Sequence, residues 1–377
     1  MLTLEGCRSR RERLWKALPT KPDALLIADP QHLYYFCGYT QSPFVFRSND
    51  AGAVLLLTAD GKAIIIADSM SRGFCEASFM DEVVAPTWYD GKHSAPHREV
   101  LLVKSVLERV KKTGAKSIGL EYSQVSAGVM AGLSGVALSN IDDVMPGLKR
   151  RKDADEIAAL KLSMKAGEAG MAAGLEKIQP GMSELDIYLL VQGAAMHASN
   201  GQAVVYGDFV TGSRTENVGG PPSDRKVAAG ELVLLDFSTI IGQYRADFAN
   251  THVCAGKPTP QQRDMYLACM EAIEAGEKKL KAGVLAKDVD RAVREVFERK
   301  HLNEFFPHHV GHGIGLGHPE PPFLVPESSD TLLAGDVLTL EPGLYRKGIG
   351  GMRFERNYLI TETGYELLSK HRLTLEV

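Results

Sequence analysis

Cysteine is sparse in this chain: Cys7, Cys37, Cys75, Cys254 and Cys269 are scattered, odd in number and form no CxxC pair. That pattern excludes a disulfide framework and a thiolate zinc site, and it fits a reducing compartment. Long apolar runs are missing too. No stretch approaches the ~18–20 apolar residues of a membrane span, and the polar, basic N-terminus has no apolar signal core. A cytoplasmic protein with no membrane partner is the expectation. Neither charge is in surplus: 43 Lys and Arg stand against 47 Asp and Glu. A net charge of −4 offers nucleic acid no general attraction. Two short basic runs, 8–13 and 149–152, read as a solvated helix start and a domain linker.

What is present is an ordinary globular composition, 44% hydrophobic and 24% charged. A chain of 377 residues is too long for one ordinary core. Pro146 and Gly147 followed by the second basic run place a boundary there, giving domains 1–148 and 149–377. In the first, apolar runs at 24–28, 53–57 and 63–67 read as strands, the last two joined by an Ala59-Asp60-Gly61 turn. An amphipathic helix over 100–112 and a strand at 117–120 complete an α/β pattern. This half carries no catalytic spacing, so its expected role is to wall a site or hold a partner. The second half opens with a helix capped by Asp153 and Glu156 and stopped by Pro180 and Gly181. Further helices start at Ser183 and at Thr259 and span 287–300. With strands between them, the second half reads as α+β, helices gathered on an antiparallel sheet.

Chemistry concentrates in three places. Segments 232–238 and 244–253 form a hairpin with an aspartate in each strand. A turn centred on 241–242 makes Asp236 and Asp247 face each other, Cβ atoms roughly 5 Å apart. A turn centred on 242–243 instead puts Asp236 opposite Ala249. Facing carboxylates call for a proton or a cation between them. A second strand pair, 337–341 and 353–360, flanks a glycine-rich loop. It brings Glu341 and Glu355 towards each other, with Arg353 on the face of Glu355, able to orient or neutralise a carboxylate. Between the hairpins lies PHHVGHGIGLGHP (307–319), four histidines interleaved with glycine. A phosphate loop is disfavoured because no strand precedes it and Pro319, Pro321 and Pro322 forbid the following helix. The better reading is backbone packed closely around a ligand histidine. Four carboxylates and an imidazole suit two divalent cations, with manganese first and cobalt, iron or zinc as alternatives. Two such ions sharing a water supply the chemistry of hydrolysis.

The order Asp236, Asp247, His312 in GHGIG, Glu341 in TLEPGLY and Glu355 in RFERN resembles the metal set of the Xaa-Pro aminopeptidases and prolidases. These belong to the "pita-bread" superfamily with creatinase and the methionine aminopeptidases. The resemblance implies a C-terminal pita-bread catalytic domain behind a smaller creatinase-type N-terminal α/β domain, whose strand entry HLYYFCGY (32–39) resembles. It implies that Asp236 chelates one metal, that His312 and Glu341 bind the second, and that Asp247 and Glu355 bridge. Glu341 would also shuttle the proton of the attacking water. His308 matches a position near the substrate, and Tyr345 and Arg353 match supporting positions of the pocket. A homodimer acting on a short peptide or small amide follows from the same resemblance, as does the facing register of Asp236 and Asp247. Two departures bear on substrate. Gly219 stands where the family has a histidine in PHGxPSDR, and Pro319 stands at a second histidine position, with His318 one residue early. Metal chemistry survives both, whereas proline specificity is put in question. Two other readings compete: a creatinase-like or lyase reaction on a small C–N compound, and a peptide-binding module that has lost catalysis.

Overall fold

The computed structural model describes residues 1–41 and 52–377, which divide into two compact units, Met1–Leu148 and Lys149–Val377. In the first unit a six-stranded mixed sheet runs in the order β4-β3-β2-β1-β5-β6. Its strands are β1 (Ala24–Ile27), β2 (Val54–Thr58), β3 (Ala63–Ile66), β4 (Glu82–Val84), β5 (Ser117–Leu120) and β6 (Ala137–Asn140). The apolar runs read from the sequence supply β1 to β3, all nearly inaccessible to solvent. One face packs on α4 (Arg98–Thr113) and α5 (Ala127–Gly132), the former ended by left-handed Gly114. The remaining helices of this unit are α1 (Leu4–Ala17), α2 (Pro30–Cys37) and the short α3 (Arg72–Glu76), while α6 (Met145–Arg150) contains the boundary.

Two expectations fail here. Residues 32–39 are no strand entry. Asp29 caps the N–H groups of Gln31 and His32, Pro30 occupies the first turn and Gly38 turns left-handed, so the segment is α2. Nor is the first basic run simply solvated. Arg10 is fully buried in α1, donates from Nε to the Tyr35 carbonyl at 2.7 Å and lies over the Tyr35 ring.

The second unit is built on a three-stranded antiparallel sheet, β7 (Val204–Thr211), β8 (Leu232–Ile241) and β9 (Tyr244–Val253). Strand alternation gives this sheet two different faces. One carries Phe209, Phe237 and Phe248, stacked at centroid distances of 5.8 and 5.7 Å. It packs beneath α7 (Ala154–Lys177), which abuts α8 (Glu184–Ala198). A Cβ at Gly167 of α7 would lie 2.0 Å from the Phe248 ring, so glycine is what lets helix and sheet approach. The other face carries Asp208, Asp236, Ser238 and Asp247. Beyond them lies a five-stranded sheet ordered β11-β10-β12-β15-β16, with a β13-β14 hairpin beside it. The members are β10 (Gly311–Gly313), β11 (Glu320–Leu324), β12 (Val337–Leu340), β13 (Gly343–Arg346), β14 (Gly350–Arg353), β15 (Arg356–Ile360) and β16 (Tyr365–Leu367). Helices α9 (Pro260–Glu277) and α10 (Ala286–Arg299) cover this part through a core that includes Cys269, Val293, Phe297 and Leu340.

The second basic run is not a solvated linker either. Arg150 donates to both carboxylate oxygens of buried Asp336, at 3.0 and 2.6 Å, and Lys152 reaches Glu320 at 2.5 Å. Both therefore pin the start of the unit to its own body.

The hairpin register also differs from the facing one. Asp236 pairs with Ala249, and Asp247 with Ser238. A two-residue turn with both central residues left-handed matches strand twist. Gly242 and Gln243 take those places, at φ 53° and 68°, whereas β-branched Ile241 resists positive φ. The shift is two residues, which preserves the faces. Asp236 and Asp247 remain diagonal neighbours on one surface.

Candidate metal centre

Five elements bring the predicted ligands together around a cavity of about 310 Å³. Oxygen atoms of Asp236, Asp247 and Glu355 lie within 4.8 Å of one another, and so do donor atoms of His309, His312 and Glu341. A third group, Asp247, His312 and His318, joins the two at the same spacing.

Each side chain is aimed by its local backbone. His312 sits at the middle of β10 between two glycines that leave no room for a side chain. A Cβ at Gly311 would lie 2.0 Å from the Thr339 carbonyl oxygen, and one at Gly313 would lie 2.3 Å from that of Pro321. The His312 ring faces the Gly313 carbonyl through Nδ1 at 3.0 Å. A carbonyl only accepts, so Nδ1 carries the proton and Nε2 presents its lone pair, 3.4 Å from Glu341 Oε1. Glu341 follows β12, with its N–H donating to the Val310 carbonyl and its carboxylate accepting from Thr339 Oγ1 at 3.0 Å. Glu355 lies between β14 and β15, and its N–H donates to the Ala249 carbonyl beneath β9. Asp247 accepts from Ser238 Oγ at 2.9 Å.

Arg353 acts on Glu355 through its charge, but its hydrogen bonds go elsewhere. The glycine-rich loop folds into its own hairpin, β13-β14, and Arg353 ends it. Its Nη1 pairs with Asp236, Nη2 donates to the Val218 carbonyl at 3.1 Å, and Nε donates to the Tyr345 hydroxyl at 2.8 Å. His308 stands 3.1 Å from that hydroxyl through Nε2, with its Nδ1 at 2.8 Å from the His309 carbonyl. His308 and Tyr345 therefore stand behind the cavity wall and act on Arg353, while Arg353 itself lines the cavity. His318 does enter it, with its Nε2 2.6 Å from Asp247 Oδ2, and Pro319 lines the cavity beside it.

Two participants escaped the sequence reading. His309, 3.2 Å from Glu341 through Nε2, is one of four clustered histidines, none individually distinguishable by spacing. Asp208 lies on β7 opposite Asp236. β7 was not read as a strand, so the carboxylate had no partner to signal it.

The electrostatics call for a cation. Burial drives the Glu355 carboxyl well above its ordinary range, reinforced by Asp247 and Glu341 and opposed by Arg353. One of its oxygens, Oε1, is buried with no hydrogen-bond partner. Burial would also raise Asp247, but the hydrogen bond and charge of His318, with His312 and Ser238, hold it down at about 2. Glu341 feels the same burial penalty and is nonetheless brought below its usual range by His309, His312 and His308. The hydrogen bond to Glu341 raises His309 against the effect of its burial. Ionised carboxylates packed beside an orphaned carboxyl oxygen and an imidazole lone pair suit divalent ions of the manganese-to-zinc series. The residues fit such a group.

A cavity of carboxylates and imidazoles in such a unit, in a chain whose first unit is a mixed α/β one, defines a pita-bread metallohydrolase. The chain belongs to metallopeptidase family M24, whose profile matches residues 158–362, and the creatinase/prolidase N-terminal domain matches residues 10–148. It is therefore a metallopeptidase of the Xaa-Pro aminopeptidase and prolidase group. An uncharacterized peptidase of Staphylococcus aureus (strain USA300) is 27% identical over 355 residues, spanning 93% of this chain and 95% of that one. Among solved structures, an X-Pro aminopeptidase from Thermotoga maritima MSB8 superposes with a TM-score of 0.82 at 25% identity, covering 97% of this chain and all of that one. A prolidase from Pyrococcus horikoshii OT3 gives 0.78 at 25% identity, with 99% of both chains covered.

Proposed function

We propose that this metallopeptidase is a two-metal hydrolase that cleaves the amide bond before proline in short peptides. The observation that carries it is the pair of adjacent donor groups, Asp236–Asp247–Glu355 and His309–His312–Glu341, linked through Asp247 and His312. Asp236, Asp247, His312, Glu341 and Glu355 would hold the ions, manganese being the first candidate. Such ions, when bound, supply polarisation of the scissile carbonyl and activation of a water.

The rest falls to the chain. Glu341, hydrogen-bonded to His309 and held below the ordinary glutamate range, is poised to take a proton from the attacking water and return it to the leaving amine. His318, at the cavity edge on Asp247, can donate to the oxygen on which charge develops. Arg353 pairs with Asp236 and orients it, and Tyr345 and His308 keep Arg353 in place. The proline preference draws support from the solved relatives, described as an X-Pro aminopeptidase and a prolidase. A homodimer is carried forward on the family resemblance and is checked by sedimentation.

The experiment uses metal-stripped protein reloaded with manganese, cobalt, iron or zinc and a panel of Xaa-Pro and Xaa-Ala peptides. Release of Xaa from the proline series, two ions per chain and loss of both in Asp247→Ala are expected. Equal cleavage of both series removes the proline preference. An active Asp247→Ala enzyme overturns the metal mechanism. A second reading, hydrolysis of a small non-peptide C–N compound, is favoured by one feature alone, the altered pocket around Gly219, and the panel therefore includes small amides.

A further inference from the structure

The segment after β7 is bent so that no side chain stands at position 219. Val218 adopts φ 73°, a conformation that a β-branched residue takes only under constraint, and its carbonyl accepts from Arg353. The next residue, Gly219, comes directly against Asp208. A Cβ there would lie 1.9 Å from Asp208 Oδ2 and 2.5 Å from Cγ. The Asp208 carboxylate thus fills the space that a Cβ at 219 would claim, so a side chain there would displace it.

Asp208 is half-buried, lines the cavity and faces Asp236 across the β7–β8 pair. Burial raises its carboxyl, while Arg353 and the Gly220 N–H draw it down. Both arginines of the cavity donate elsewhere: Arg353 to Asp236, Val218 and Tyr345, and Arg245 to Ser238 Oγ at 3.4 Å. Among the described residues no side chain donates a hydrogen bond to Asp208. Asp208 feels the charge of Arg353 but takes no hydrogen bond from it, which leaves its carboxylate to accept one from whatever enters the cavity.

We infer that Asp208, exposed by Gly219, is a specificity-determining residue that binds a cationic group of the substrate, an ammonium or guanidinium, and repels a carboxylate at the same place. The inference rests on the hydrolase reading for where the reacting bond lies. A charge-assisted hydrogen bond in a partly desolvated cavity is strong enough to select between substrates by about tenfold or more. The cation has two sources, a basic side chain or the free α-amino group of the peptide.

The test measures kcat/KM for manganese-loaded enzyme on Xaa-Pro amides in which Lys, norleucine or Glu stands before the scissile bond or after the proline. A parallel set has the α-amino group acetylated. A Lys-over-norleucine ratio of about ten or more, and a Glu-to-norleucine ratio well below one, are expected where the side chain is read. Loss confined to the acetylated set assigns the α-amino group instead. In Asp208→Asn the operative ratio should fall to about one, and Gly219→Ser, which displaces the carboxylate, should lower it in the same direction. Ratios unchanged in both variants overturn the proposal. If no amide is hydrolysed at all, the hydrolase reading fails separately. Calorimetric binding of lysinamide against norleucinamide to wild type and Asp208→Asn then decides the cation site alone. Binding of both amides left unchanged by Asp208→Asn overturns it.

Discussion

Glu355 is the residue at which stability and the proposed metal binding oppose each other most directly. Its folded-state pKa is raised, first by burial and then by Asp247 and Glu341. A raised carboxyl contributes least stability at neutral pH, where the unfolded chain ionises freely and the folded one must either hold a proton or bury a charge. Glu355→Gln in metal-stripped protein at pH 7 is therefore expected to raise the melting temperature, and the same change is expected to weaken manganese affinity at least tenfold. A melting scan with and without manganese checks both, and a variant less stable than wild type when stripped contradicts the electrostatic account. Residues such as Glu355, Glu341 and His312 were legible because each lies inside a local motif of its own. Asp208 was not, because its meaning comes from a strand partner and from the vacancy of a side chain at 219.

Among the elements, the β8–β9 hairpin and α7 decide how the site is held. Apolar patterning made both readable, yet the register followed turn chemistry, with Gly242 and Gln243 accepting left-handed backbone that Ile241 would not. The two aspartates stayed together only because a shift of two residues preserves the strand faces. Behind them, Gly167 lets α7 approach the stacked phenylalanines. Gly167→Ala should cost about 1–3 kcal/mol in urea unfolding because the added methyl meets the Phe248 ring rather than a mobile chain end. Gly193, within α8 with nothing inside 4 Å of an added Cβ, is the control. Gly193→Ala should stabilise by about 0.4–1 kcal/mol. Matching losses at both positions would show that close packing at Gly167 is not the cause.

Across the second unit as one cooperative body, acid stability reports on histidines buried far from chemistry. His252 on β9 is 1% exposed, and burial lowers its pKa from 6.5 to about 4. Between those values the unfolded chain takes up a proton that the folded one refuses, so stability falls as pH falls through that window. The contribution is about 3 kcal/mol at most for this residue. The urea midpoint of metal-stripped wild type should drop between pH 7 and pH 5, and His252→Leu should flatten that drop. Identical slopes in the two proteins would remove His252 from the account. Among the described residues no helix is long and apolar enough to cross a membrane.

By itself the sequence determined the α+β class and the division of elements, and it singled out the five candidate ligand residues. Periodicity, caps and short motifs are local, and they are encoded within a few residues of where they act. Tertiary structure alone decided which atoms meet. It buried Arg10 of the first basic run against Tyr35, paired Arg150 and Lys152 of the second with Asp336 and Glu320, made 30–37 a helix capped by Asp29, and gave Arg353 to Asp236 as its contact partner. It placed His309 against Glu341 and filled the space at Gly219 with Asp208. These are matters of distance between segments far apart in the chain. Burial, which sets whether a carboxylate is a solvated surface group or a metal ligand, exists only once those segments have packed.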